Sequence, residues 1–160
     1  MKTIKVDNEY EIDFLILGVN CHLKSYKLCW EINKKLNTNF IKTKNHPHPQ
    51  KEDQNFERFT YTKKNTQTEY NILSNRCDTG YLDPINKGIN YFLVVQGGIY
   101  NSKKIIESLN QIKDVLLVFE LNLSKINPIS LICQHFCGYA ALKRRGTLPR
   151  NSVGLPRLLP

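Results

Sequence analysis

No run of apolar residues in this chain approaches the roughly 18 positions that a membrane-spanning helix needs. The opening, MKTIKVDNEYEID, is polar and soon acidic, so it lacks the apolar core of a secretory leader. The expectation is a cytoplasmic protein with no membrane partner. Catalytic signatures are equally scarce. There is no G-x-S-x-G, and Ser74, Ser102, Ser108 and Ser124 have no histidine close by in sequence. Neither G-x-G-x-x-G nor a phosphate-binding P-loop occurs. Cysteine is present in an odd number, five, and Cys21, Cys29, Cys77, Cys133 and Cys137 show no repeated spacing. In a reducing compartment they are expected to be free thiols packed as small apolar groups. No catalytic residue, metal or cofactor is assigned from these patterns, and an enzymatic role is not favoured.

Arginine is rare in most of the chain. Only Arg58 and Arg76 occur before residue 134, whereas Arg144, Arg145, Arg150 and Arg157 crowd the last 27 positions. The net charge of +9 would suggest nucleic acid, but its distribution weakens that inference. Residues 134–160 hold five basic residues and no acid, giving +5; residues 1–133 hold 18 bases and 14 acids, giving +4. Lys and Asn, with A/T-rich codons, dominate the main body, and the composition then shifts to Arg, Pro, Gly, Ala and Leu. Two readings stay open: a tail of different origin, such as a shifted reading frame or fused segment, or a flexible basic tail. Pro149, Pro156 and Pro160 argue against a packed helix there. The domain organisation expected is therefore a single α+β domain over 1–133 and a basic tail over 134–160, disordered or foreign to the fold.

What is present fits one globular core. A chain of 160 residues with 41% hydrophobic and 23% charged residues needs no metal or disulfide staple. EIDFLILGV (11–19) reads as a strand buried on both faces. A helix over about 24–37 follows, with Leu28, Cys29, Ile32 and Leu36 on its apolar stripe, Tyr26 and Trp30 beside it, and lysines on the wet face. Residues 42–55, KTKNHPHPQKEDQN, read as a mobile polar loop. FERFTYTKK (56–64) and TEYNILSNR (68–76) form a hairpin, INYFLVVQGG (89–98) a buried strand, and VLLVFELNL (115–123) a last strand. Asn101 or Ser102 caps a second helix with the stripe Ile105, Leu109 and Ile112. The order β-α-β-β-β-α-β predicts a two-layer α+β sandwich, one mixed β-sheet with two helices on one face. The pattern resembles a ferredoxin-like or ACT-like arrangement with one extra strand, a fold analogy that implies no function by itself.

Several residue groups invite a chemical reading. Cys21, His22, Cys29 and Trp30 cluster around the first helix start, but Cys21 and Cys29 are eight apart and Cys29 has a packing reason for its place. The thiols and indole are expected to face inward, and His22 to bond backbone. CQHFC (133–137) alternates Cys133, His135 and Cys137, which alone do not close a zinc site; His46 or His48 would have to supply a fourth ligand. In QGGIYNSKK, Gly97, Gly98, Ser102 and Lys103 lead into a helix N-terminus able to hold an anion, though a plain strand-to-helix turn is the simpler account. RFTYTKK places Arg58, Phe59, Tyr61, Lys63 and Lys64 as the best nucleic-acid candidate, with Phe59 and Tyr61 equally readable as core.

Taken together, the segments resemble a bacterial family of uncharacterised function named for its IPExxxVDY motif. DFLILGVNCHLKSYKLCWEINKKL is similar to that family's strand and helix, and YNILSNR to its middle strand. Asp83-Pro84-Ile85-Asn86-Lys87-Gly88-Ile89-Asn90-Tyr91 falls where the motif should lie. Pro84 and Tyr91 match it and Ile89 is a close substitute for Val, but Asp83, Ile85 and Asn90 depart from it, and the motif's two acids are missing at Ile85 and Asn90. The resemblance spans about residues 9–133 and implies structural roles, Pro84 starting a turn and Tyr91 entering a buried strand. Three functions remain in view: a non-enzymatic domain acting through an unknown protein partner or as a homo-oligomer, an ACT-like sensor of a small ligand, and, least favoured, an RNA- or DNA-binding accessory protein.

Overall fold

The computed structural model describes residues 3–5, 11–48 and 50–121. Strands β1 (Thr3–Lys5), β2 (Glu11–Cys21), β3 (Ile41–Pro47), β4 (Asn55–Lys63), β5 (Thr68–Ser74), β8 (Tyr91–Gln96) and β9 (Val115–Glu120) form one sheet. A separate ribbon pairs β6 (Arg76–Cys77) with β7 (Gly80–Tyr81). The helices are α1 (Ser25–Leu36) and α2 (Ser102–Asn110). The sheet runs β1-β2-β8-β5-β4-β3, with β9 also on β2.

The domain is α+β, as expected, but the sheet is not mixed. Every strand pair among the described residues is antiparallel. The reason lies in where the crossovers land. Helix α1 carries the chain from β2 to β3 at the far edge, and the meander β3–β4–β5 then walks back to β8 beside β2. Helix α2 carries it over β2 to β9. Both crossovers connect strands that run the same way, yet each skips intervening strands, so no parallel pair becomes neighbours. Sequence order shows that a crossover exists, not how far it reaches.

Both helices pack on one face. Leu28, Cys29 and Ile32 of α1 and Ile105 and Leu109 of α2 join Leu15, Leu17, Val19, Ile72, Leu93 and Val95 in one buried cluster. The strand β2 is buried on both sides, because Ile16 on the opposite face is fully enclosed too. On that face Gly18 makes room: a Cβ there would sit 2.9 Å from the Phe119 ring and 3.2 Å from Ile89 Cδ1. The opposite face also holds Phe56, Leu73, Phe92 and Val94 without exposed area to speak of.

The segment 42–55 is not simply a loop. It contains β3, which pairs with β4 from Ile41↔Thr60 to Pro47↔Asn55 around a bulge between Thr43 and His46. An edge strand with water on most of its side chains needs no apolar alternation; its order comes from backbone pairing with β4 and from burial of His46. Asn33 secures the route from α1 to β3, its Oδ1 accepting from Phe40 N at 2.7 Å and from Thr38 Oγ1 at 3.0 Å. The tail 134–160 and the CQHFC segment lie outside the described residues.

Candidate functional site

Chemistry-bearing residues converge at one end of the sheet, where β2 turns into α1. Cys21 ends β2 and is buried; His22 and Lys24 follow it and are exposed. Opposite them stands the β6–β7 ribbon, with Arg76 and Asp78 exposed and Cys77 half-buried. Between the two lies an open cleft of about 810 Å³, with Tyr91 and Asn90 also lining it.

The loop that leads into this cleft is held by two side chains. Asn75 is fully buried, its Nδ2 donating to the carbonyls of Asp83, Asn86 and Ile89 at 3.3, 3.2 and 2.8 Å. Its Oδ1 accepts from Asp83 N at 2.7 Å. Asp83 in turn closes the turn after it: Oδ1 accepts from Ile85 N and Asn86 N, and Oδ2 from Asn86 Nδ2. Asn90 then reaches across, its Oδ1 accepting from Cys21 N at 2.9 Å. Three Asn/Asp residues thereby fix residues 83–91 against the end of β2.

Within that stretch, Pro84 is exposed in the turn, Ile89 is buried over Gly18, and Tyr91 begins β8. The Tyr91 hydroxyl donates to Leu23 O at 2.6 Å and so locks the β2–α1 junction. Burial, reinforced by nearby Cys21, Glu57 and Cys29, pushes the Tyr91 phenol well up. The three departures from the resembling motif behave differently: Asp83 closes the turn through its carboxylate, Ile85 is 77% exposed, and Asn90 makes the bond to Cys21.

The first helix start splits the residues that the sequence grouped. Cys21 and Cys29 are core thiols. Burial raises the Cys21 pKa, and burial with Glu57 nearby pushes Cys29 up to about 12, so both stay protonated at neutral pH. The expectation for the indole is corrected. Trp30 is 50% exposed, and the ammonium groups of Lys27 and Lys34 lie 4.2 and 4.0 Å from its ring centroid. Trp30 sits on the solvent side because the inward arc of α1 is already filled by Leu28, Cys29 and Ile32, and its lysine neighbours complement its π-face. His22 makes no side-chain hydrogen bond among the described residues, so the expected bond to backbone is absent there.

The glycine pair lies at the opposite end of β8. Gly97 and Gly98 take φ of 70° and 63°. A Cβ on Gly98 would fall 2.0 Å from Thr66 O and 2.2 Å from Thr68 Oγ1. The pair therefore lets the chain pass tightly over the β4–β5 turn. Asn101 caps α2 by accepting from Lys104 N, with Ser102 half-buried and Lys103 exposed in the first turn. Phe59 is core, and Tyr61 packs beside it against Phe40 and Tyr70, so RFTYTKK exposes only Thr62, Lys63 and Lys64. His46 and His48 are both buried, and among the described residues no three His, Cys, Asp or Glu side chains form a metal-holding group.

A second surface feature is the outer edge of β9. The register shifts between Asn20 and Cys21, which leaves Leu116 as the extra residue of a bulge. Val115 and Val118 both stay in the core, while Leu116 and Leu117 are 59% and 51% exposed. Among the described residues β9 pairs only with β2. Among these residues no helix is long and apolar enough to cross a membrane. The chain matches no family model, and no curated protein matches it.

The sequence singled out the β2–α1 junction and the 83–91 stretch but not their meeting with Arg76 and Cys77. That convergence depends on the β6–β7 ribbon, whose two-residue strands are too short to register as a pattern.

Proposed function

We propose that this chain is a non-enzymatic domain that acts through protein contact, beginning with a second copy of itself joined along β9. The observation that carries the reading is the exposure of Leu116 and Leu117 side by side on an edge strand. The other sheet edge is protected differently: β3 carries Lys42, Lys44 and Pro47, residues that discourage pairing with another chain. The β9 sequence, VLLVFE, has a single charge, at its end. Antiparallel pairing of two β9 edges about a two-fold axis would continue the sheet and cover the leucines from both copies.

Sedimentation velocity across a range of protein concentrations tests this. The expected outcome is a concentration-dependent dimer, reduced to monomer by Leu117→Lys with unchanged far-ultraviolet circular dichroism. A monomer at every concentration would sink the reading. The ACT-like relationship, and the kinship with the IPExxxVDY family, are proposed on narrower grounds: two helices on one face of the β9-β2-β8-β5 path, and the structural use made of Ile89 and Tyr91.

A further inference from the structure

The cleft at the end of the sheet has a charge pattern that the contact role does not use. Its rim is supplied by two segments far apart in sequence, His22 and Lys24 from the β2–α1 junction and Arg76 from the ribbon. A single carboxylate, Asp78, faces them from the ribbon turn. Lys24 and Arg76 are exposed and have no ion pair or side-chain hydrogen bond within the described residues, so their charges are not spent on the fold. Some cations of the domain are engaged, Lys42 with Glu57 at 3.3 Å, Lys27 with Glu31 at 3.7 Å and Arg58 with Asn71 at 3.0 Å, while others, such as Lys35 and Lys113, are exposed like Lys24 and Arg76. What sets Lys24 and Arg76 apart is that both line one cleft. The start of α1 adds no free positive potential: it has no side-chain cap and no acid of its own in the first turn, but the Ser25 hydroxyl there donates to the Glu57 carboxylate of β4.

We propose that this cleft binds a small phosphate-bearing ligand, with Arg76 and Lys24 as its two principal charge contacts and His22 as a third donor. Three features select the class. An arginine fork and a lysine ammonium approaching from opposite walls match a polyanion with several acceptor oxygens better than a single carboxylate. The volume of about 810 Å³ lies within the range of small-ligand sites and leaves room for more than the anionic group. The floor is tied to both sides: Tyr91 bonds Leu23 and Asn90 bonds Cys21 on the junction side, and Asn75 N donates to Asn90 O at 2.9 Å at the foot of the ribbon. The role asked of the site is recognition: Cys21 lines the cleft as a buried, protonated thiol, and Cys77, half-buried on the ribbon, is asked for no covalent step.

The test is isothermal titration of the full chain with inorganic pyrophosphate, with succinate as the carboxylate comparison. Three variants are compared with the unaltered chain: Arg76→Gln, Lys24→Gln, and Lys35→Gln, which removes an equal charge from the exposed last turn of α1, away from the cleft. Pyrophosphate should bind the unaltered chain and Lys35→Gln alike, more tightly than succinate. Each cleft variant should lose about tenfold or more in affinity, the usual scale for deleting a charged hydrogen-bonding group. All three altered side chains are exposed, and circular dichroism checks that each variant is folded. Absence of pyrophosphate binding would overturn the proposal, and so would an equal loss in Lys35→Gln, which would mark attraction to net charge alone. Equal affinity for succinate would overturn the phosphate assignment.

Discussion

A single buried amide does more for the cleft end of this molecule than any charged residue. Asn75 uses both hydrogens and its oxygen on backbone groups 8 to 14 residues further along the chain, and no water reaches it. Asn75→Ala should therefore cost about 3 kcal/mol, since it removes several hydrogen bonds and strands buried backbone partners. Urea unfolding measures this, and a cost below about 1 kcal/mol would mean that the 83–91 turn stands without its clamp. Little of this was legible beforehand. An asparagine between two strand-like segments reads as a turn residue, and nothing local shows that its partners lie beyond the ribbon. The thiols were easier, because the spacing of Cys29 with Ile32 and Leu36 already places it on a packed stripe. Trp30 flanks that stripe one position further round the helix, where sequence spacing does not separate an inward indole from an exposed one; the inward arc is already filled by Leu28, Cys29 and Ile32.

Among the elements, the β8–α2 connection makes the sharpest demand on residue type. Both glycines have left-handed φ, but their surroundings differ: a Cβ at Gly97 meets only Gln67 O at 3.1 Å, whereas one at Gly98 collides with Thr66 O at 2.0 Å. Gly98→Ala should lower stability by about 2 kcal/mol or more, and Gly97→Ala by about 1 kcal/mol. Comparing their thermal midpoints checks the order; equal midpoints would show that the β4–β5 turn yields freely. The strong strands were readable because β2 and β8 are apolar runs of the right length and β4 and β5 are rich in Thr, Tyr and Phe around a short turn, and α2 because its stripe and Asn101 cap agree. Strand β3 was not readable, since a polar edge strand has no periodicity of its own and takes its form from β4. The ribbon was invisible for the same reason on a smaller scale.

Across the whole molecule, several ionisable groups are buried in their neutral forms, and this sets how stability responds to pH. Cys29 is held up from 9.0 to about 12, and Cys21 and Tyr91 are also raised. For an acid with a raised native pKa, the unfolded chain ionises first. Stability is thus intact below about pH 9 and falls as pH rises toward 12. Denaturation midpoints at about pH 8 and about pH 11 should show the loss, and Cys29→Ala should make the profile shallower. An unchanged slope in that variant would show that the thiol is not the group responsible. The α+β class and one-sided placement of the helices could be read from sequence, because periodicity reports burial. The sheet's uniform antiparallel character could not, because it depends on the distance each crossover spans.

The position of Trp30 has a practical consequence. It is the chain's one tryptophan, and it stands half in water beside two ammonium groups rather than inside the fold. Its fluorescence will be red-shifted before unfolding begins and will change little as the core opens. An optical melt followed at tryptophan emission would thus register events on the outside of α1, and a loss of interior packing would pass almost unseen.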